Sequence, residues 1–265
     1  LNYQDFNLDN INGGKILLYL FNKTGDNRYK IAADDLYKKQ LSNQPRLKCG
    51  NFWHKAVYPF QIWLDGVYMA LPFMAEYSIV YNKKEIMDDV FQQLKNIRNI
   101  MRDDETGLYY HGYDETRTMK WANSETGLSN EFWLRSIGWL SAGLVDICEI
   151  VEDNSEIEAF CHEMINDLLE SISKYISDSN MLFQLPTKQT LENNYPETSG
   201  TLLFSYSATK AFRLGIVSEN LKNIAEKAFE AVSDNYIDFN NNDIPVLKNI
   251  CLMAGLGGYP FRNGT

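Results

Sequence analysis

The chain has 265 residues, 45% of them hydrophobic and 13% aromatic, and carries a formal net charge of −10. That is enough apolar material for one large core or two small ones, and the negative field disfavours nucleic acid and anionic membrane surfaces as partners. No apolar run reaches the length of a membrane span, and the opening stretch LNYQDFNLDN lacks the basic and apolar regions of a signal peptide.

Along the chain, helical segments come in pairs. INGGKILLYLF is apolar on most sides, and the following NRYKIAADDLYKKQL spaces its apolar residues at three and four with charges between them. The same succession recurs as PFQIWLDGVYMALPFMAEYSIVY with KKEIMDDVFQQLKNIRNIM, then as NEFWLRSIGWLSAGLVDICEIV with SEIEAFCHEMINDLLESISKYI. SGTLLFSYSATKAFRLG with SENLKNIAEKAFEAVSDNYI makes the fourth pair. Turns such as NKTGDNR and VEDNSE carry stop and start signals. A helix apolar all round must be covered on both sides, whereas an amphipathic one faces water, so alternation predicts an inner and an outer ring of helices, an α/α toroid. PVLKNICLMAGLGG reads as the start of a further pair, and GLYYHGYD, TMKWA and NMLFQLPT as short hairpins on loops at one end of the ring. Such a ring leaves a central cavity with the loops at its mouth, where sites tend to form. No linker or low-complexity tract divides the chain, so residues 1–265 read as one domain.

Several polar groups fall at the starts of the apolar helices or in adjoining loops. Asp65 is a carboxylate among apolar and aromatic residues; it is either a buried acid satisfied by hydrogen bonds, or an acid whose pKa desolvation raises so that it donates a proton near neutral pH. GNFWHKAVYP offers Trp53, His54 and Lys55, either an ordinary loop or a surface that stacks a sugar ring and pairs its carboxylate. NEFWLRSIGW offers Trp133, Arg135 and Trp139, where the arginine either bridges helix ends or binds a ligand. His111 and Asp114 lie on a predicted hairpin, and Asp9 precedes a helical run, the position of an N-cap. His54, His111 and His162 are not at ligand spacing, so no metal is expected. GLGG lacks the strand–turn–helix context of a phosphate loop. Taken together, these groups suit an acidic carbohydrate. Cys49, Cys148, Cys161 and Cys251 are scattered, with no C-x-x-C pair; they read as reduced, and with no visible signal a cytoplasmic setting is expected.

The stretches LDNINGGK, GNFWHKAVYPFQIWLDGVYMALPF, HGYDE, WANSETGLSNEFWLRSIGW, NYPETSG and AGLGGYPFRNG closely resemble the unsaturated rhamnogalacturonyl hydrolases of glycoside hydrolase family 105. These are relatives of the family 88 unsaturated glucuronyl hydrolases, and the likeness runs over nearly the whole chain. The resemblance implies an all-α (α/α)6 barrel without metal or organic cofactor. It implies Asp65 as general acid and base, Asp9 as a second essential carboxylate, and His54, Lys55, Trp63, His111, Trp133, Arg135 and Trp139 lining the site. The implied substrate is a small acidic oligosaccharide, a lyase product of bacterial pectin degradation ending in a 4,5-unsaturated uronic acid, which is hydrated at its double bond. The alternatives are an unsaturated glucuronyl hydrolase acting on other lyase products and an inactive barrel that only binds sugar. About nine helices are expected where a six-pair barrel has twelve, so the first and last are expected to be missing, and a partner chain could cover the exposed faces. Oligomeric state stays open, a homo-oligomer included.

Overall fold

The computed structural model describes residues 2–151, 155–240, 242–257 and 262–263. Its frame is four helix pairs: α1 (Gly14–Thr24) with α2 (Asn27–Lys39), α3 (Leu64–Val80) with α4 (Lys84–Met101), α5 (Leu134–Ile150) with α6 (Glu156–Ser173), and α7 (Thr198–Arg213) with α8 (Glu219–Asn235). The odd-numbered helices pack side by side, α1 on α3, α3 on α5 and α5 on α7, and each even-numbered helix packs on the member before it. The expected alternation of inner and outer helices is therefore present for all four pairs. Packing of α5 on α7 is close because small residues meet large ones. A Cβ on Gly138 would lie 2.7 Å from Leu203 Cβ, and one on Gly200 would lie 2.4 Å from Leu134 Cγ.

The outer helices follow from local chemistry. Asp26, Ser155 and Ser218 cap α2, α6 and α8, each accepting a bond from a first-turn N–H. Gly25 stops α1 in the left-handed conformation at φ 68°. One continuous core joins Leu18, Phe73, Met74, Leu94, Ile97, Leu140, Leu168 and Phe204 across the pairs.

Three local expectations need correction. The second apolar segment is not helical from its start: Gln61–Trp63 forms strand β1, and the helix begins only at Leu64. Pro59 and the left-handed Phe60, at φ 61°, interrupt any earlier helix. The segment GLYYHGYD does not fold on itself. Its Gly112–Asp114, strand β2, pairs antiparallel with β1, and Phe183 of NMLFQLPT bridges to Pro196. PVLKNICLMAGLGG does not begin a helix. After β3 (Ile237–Phe239), Pro245–Leu247 forms strand β4 against it, and the chain from Lys248 to Gly255 runs without regular structure. Asn249 sits at φ 54°, a conformation no helix contains, and the peptide groups of Cys251 are taken by partners outside their own segment. No helix among the described residues is long and apolar enough to cross a membrane.

Candidate active site

The starts of α3 and α5 come together with the loops at that end and line a cavity of about 610 Å³, a size typical of small-molecule sites. Trp63 and Trp133, which precede α3 and α5, supply no side-chain cap. Free first-turn N–H groups favour negative charge at such ends. All nine residues expected to form a site line this one cavity: Asp9, His54, Lys55, Trp63, Asp65, His111, Trp133, Arg135 and Trp139.

Asp65 lies in the first turn of α3, half-buried, with His111 Nε2 3.4 Å from its buried Oδ2. His111 is itself fully buried and is placed by the β1–β2 pairing, where its carbonyl accepts from Leu64 N–H at 2.9 Å. The two side chains are close but not aligned as a hydrogen bond. Asp65 Oδ2 and both ring nitrogens of His111 have no hydrogen-bond partner among the described residues. Unsatisfied buried groups are rare outside functional sites. Desolvation was expected to raise the pKa of this carboxyl. Burial does push it up, but the His111 and His54 imidazoles pull it down further, leaving it below the ordinary carboxylate value. The expectation held for the environment and failed for the sign, because the sequence does not show that His111 reaches Asp65.

The second carboxylate is not a helix cap. Asp9 sits in a short 3-10 turn, Leu8–Asn10, whose cap is Asn7. Its own side chain meets Lys55 Nζ at 2.6 Å and His54 Nε2 at 3.5 Å. His54 also stacks on Trp63, with ring centroids 5.2 Å apart, and Trp63 stacks in turn on Tyr58 at 4.6 Å. Burial lowers the His54 pKa to about 4, more than the Asp9 and Asp65 charges raise it.

His54 should make stability pH-dependent. Its imidazole is neutral in the folded chain down to about pH 4 but protonates near 6.5 when unfolded. Between those values the unfolded chain binds the extra proton, so stability should rise with pH across the window, be complete above about 6.5 and fade toward 4. The full contribution is on the order of 3 kcal/mol. Urea unfolding at a series of pH values should show this slope, and His54→Gln should flatten it; an unchanged slope in the variant would assign it to other groups.

Arg135 faces the cavity and also makes a structural bridge. Its guanidinium lies over Trp133, 4.6 Å from the ring centroid, on the cavity wall. Its Nη1 also donates to the carbonyl of Cys251, so it bridges α5 to the chain between β4 and Gly255. That same segment is held from α7. Glu197, fully buried, accepts from Ser199 N–H at 3.1 Å, Ser199 Oγ at 2.6 Å, Gly200 N–H at 2.6 Å and Cys251 N–H at 3.0 Å. Gln184 Nε2 donates to Cys251 Sγ at 3.1 Å, while its Oε1 accepts from Trp133 Nε1. Trp139 packs on Tyr68 in a tilted arrangement with ring centroids 4.6 Å apart, and Lys15 Nζ stands over the Tyr68 ring.

The sequence reading missed part of the wall. Tyr58, Met69 and residues 252–256 also line the cavity. Met69 was within reach, one helical turn after Asp65, and Tyr58 lies in the same stretch as His54. The segment 252–256 was not, because it read as helix. Asp114, a candidate on its loop, lies outside the cavity and organises the turn after β2, accepting N–H bonds from Thr116, Thr118 and Met119. No three His, Cys, Asp or Glu side chains among the described residues converge to hold a metal ion.

Residues 1–264 match the profile of Glycosyl Hydrolase Family 88. The chain belongs to this family. A solved family 105 glycoside hydrolase from C. acetobutylicum superposes with a TM-score of 0.94 at 36% identity, covering 100% of this chain and 74% of that one. A 24.9 kDa protein in the picA locus of Rhizobium radiobacter is 34% identical over 203 residues, 74% of this chain and 86% of that protein. The unsaturated rhamnogalacturonyl hydrolase YesR of Bacillus subtilis is 26% identical over 179 residues, 64% of this chain and half of YesR. Family membership makes this chain a glycoside hydrolase of the unsaturated glycuronyl type, with the helical-barrel fold of its relatives.

Proposed function

We propose that the chain releases a terminal 4,5-unsaturated uronic acid, most specifically an unsaturated galacturonyl residue from a rhamnose-containing pectin fragment, by hydrating the double bond. The observation that carries the reading is the contact of Asp65 with His111 inside the cavity that also holds the Asp9–Lys55–His54 group and Arg135. A half-buried carboxyl at the cavity wall is placed to meet a substrate, and the nearby cations and rings suit an anionic sugar. The name of YesR supports the rhamnogalacturonan substrate. The four free cysteines support a reducing, cytoplasmic setting.

In this mechanism the Asp65 carboxyl gives its proton to C4 of the enol ether, and positive charge develops at C5 and the ring oxygen. Water adds at C5 and returns its proton to the Asp65 carboxylate. The product is a hemiketal at C5. Its ring opens by breaking the C5–O bond, and the hemiacetal left at C1 expels the leaving sugar. Asp65 acts as acid and then as base, so the carboxylate separations that distinguish retaining from inverting glycosidases do not apply. The substrate also supplies the pKa rise that the protein's own groups do not give. A uronate carboxylate entering the cavity is a like charge beside Asp65, which favours the protonated form. Asp9 holds Lys55 and His54 in place for that carboxylate.

The test uses matched disaccharides with and without the C4=C5 bond. Only the unsaturated one should react, followed by loss of near-ultraviolet absorbance. In heavy-oxygen water the label should enter the uronic acid fragment at C5. Comparable cleavage of the saturated sugar, or label at its anomeric carbon, would indicate conventional glycosidase chemistry and remove the hydration reading.

A further inference from the structure

A second cavity, of about 520 Å³, adjoins the first and shares Tyr58 and Leu256 with it as common walls. It also contains Phe60, Thr118, Met119 and Trp121. From the geometry we infer that this cavity is a subsite for an uncharged sugar residue further along the leaving group, so that the preferred substrate has at least three sugar units. The inference rests on the proposed function, which places the uronate beside Asp65.

Four observations lead to it. First, the two spaces are joined by stacked rings. His54 stacks on Trp63 and Trp63 on Tyr58, and Tyr58 faces both cavities. A sugar chain anchored by its uronate at Asp65 and the Lys55 group can leave along these rings. Second, Phe60 is held where a large side chain seldom sits. It is a non-glycine residue at φ 61°, its ring is partly exposed, and it packs on Trp53 with centroids 4.6 Å apart. Such strain is kept where the surroundings enforce it, most often at binding sites. Third, the opposite wall is rigid. The buried Asp114 carboxylate accepts the N–H groups of Thr116, Thr118 and Met119, which fixes the loop that carries Thr118 and Met119. Fourth, Trp121 is buried on this wall, and its indole N–H has no partner among the described residues. A buried donor of this kind calls for a partner, and a sugar hydroxyl in the adjoining cavity is of the right chemistry.

The chemistry of the walls defines the ligand. No charged side chain lines this cavity among the described residues, whereas the first holds Asp9, Lys55, Asp65 and Arg135. A second uronate would find no counter-charge here. A neutral sugar finds aromatic faces for its C–H surface and hydroxyl and indole groups for its own hydroxyls.

Steady-state kinetics would compare an unsaturated disaccharide with the trisaccharide that adds one neutral sugar to its reducing end. The wild-type chain should favour the trisaccharide about tenfold in kcat/KM. Phe60→Ala, which removes the ring, and Met119→Trp, which fills the cavity, should each abolish that preference and leave disaccharide turnover within about twofold of wild type. Because one variant empties the subsite and the other blocks it, a folding defect in either does not decide the result alone. Equal turnover of both sugars by the wild type, or a preference that survives in both variants, would overturn the subsite. Turnover of neither sugar would remove the proposed function, and the subsite with it. Disaccharide turnover without any trisaccharide advantage would leave the function standing and reject only the subsite.

Discussion

Asp65→Asn is expected to lower turnover by at least about 10²-fold, the lower end for a lost general acid, while folding and substrate binding persist. Asparagine keeps the shape and the acceptor oxygen of the side chain but has no proton to give to C4. Asp65 is half-buried at the start of α3 and has His111 as its close polar neighbour, so little packing is lost. Removing one charge from the pair should, if anything, ease binding of a uronate. The distinguishing measurement sets turnover against calorimetric binding of the unsaturated disaccharide and against the unfolding midpoint. Near wild-type turnover would take Asp65 out of the mechanism. Lost turnover together with a collapsed midpoint would make it a structural residue.

Glu197→Ala is expected to produce the largest loss of stability of any single change near the cavity, roughly 3 kcal/mol. The carboxylate accepts four hydrogen bonds and is fully buried. Its removal leaves the first-turn N–H groups of α7 and the N–H of Cys251 without an acceptor. For a chain of this length the melting temperature should fall by on the order of 6–10 °C. Activity should fall too, because Cys251 also receives Arg135 and leads into residues 252–256 of the cavity wall. Glu197→Gln keeps one acceptor oxygen and should recover part of the stability. A melting temperature unchanged in the alanine variant would show that water replaces the carboxylate without cost.

The sequence was most informative where a regular period repeats. The four helix pairs were readable because apolar and amphipathic patterns extend over several turns, and the starts of α3, α5 and α7 could be placed in one region. The resemblance then assigned particular residues, and all nine lie around one cavity. What could not be read depends on contacts between distant segments. Pairing of β1 with β2 brings His111 beside Asp65, and nothing within either segment announces it. The same holds for Cys251, whose N–H, carbonyl and sulfur bind three side chains from elsewhere in the chain. Its surroundings are apolar and spaced like a helix, so the local pattern pointed the wrong way. The carboxylate of Glu197 is also ambiguous in sequence, since most glutamates near a helix start are solvated.

The threefold tether of Cys251 also bears on motion. A wall held by independent contacts would loosen gradually, and its amides would exchange with solvent one at a time. Here the Glu197, Arg135 and Gln184 bonds meet on one residue, so breaking any of them weakens the others' hold on it. The segment should therefore open as a single cooperative unit, with neighbouring amides sharing one exchange free energy. If departure of the reaction product requires that opening, the ceiling on turnover is set by a mechanical latch whose parts lie outside the chemistry of Asp65.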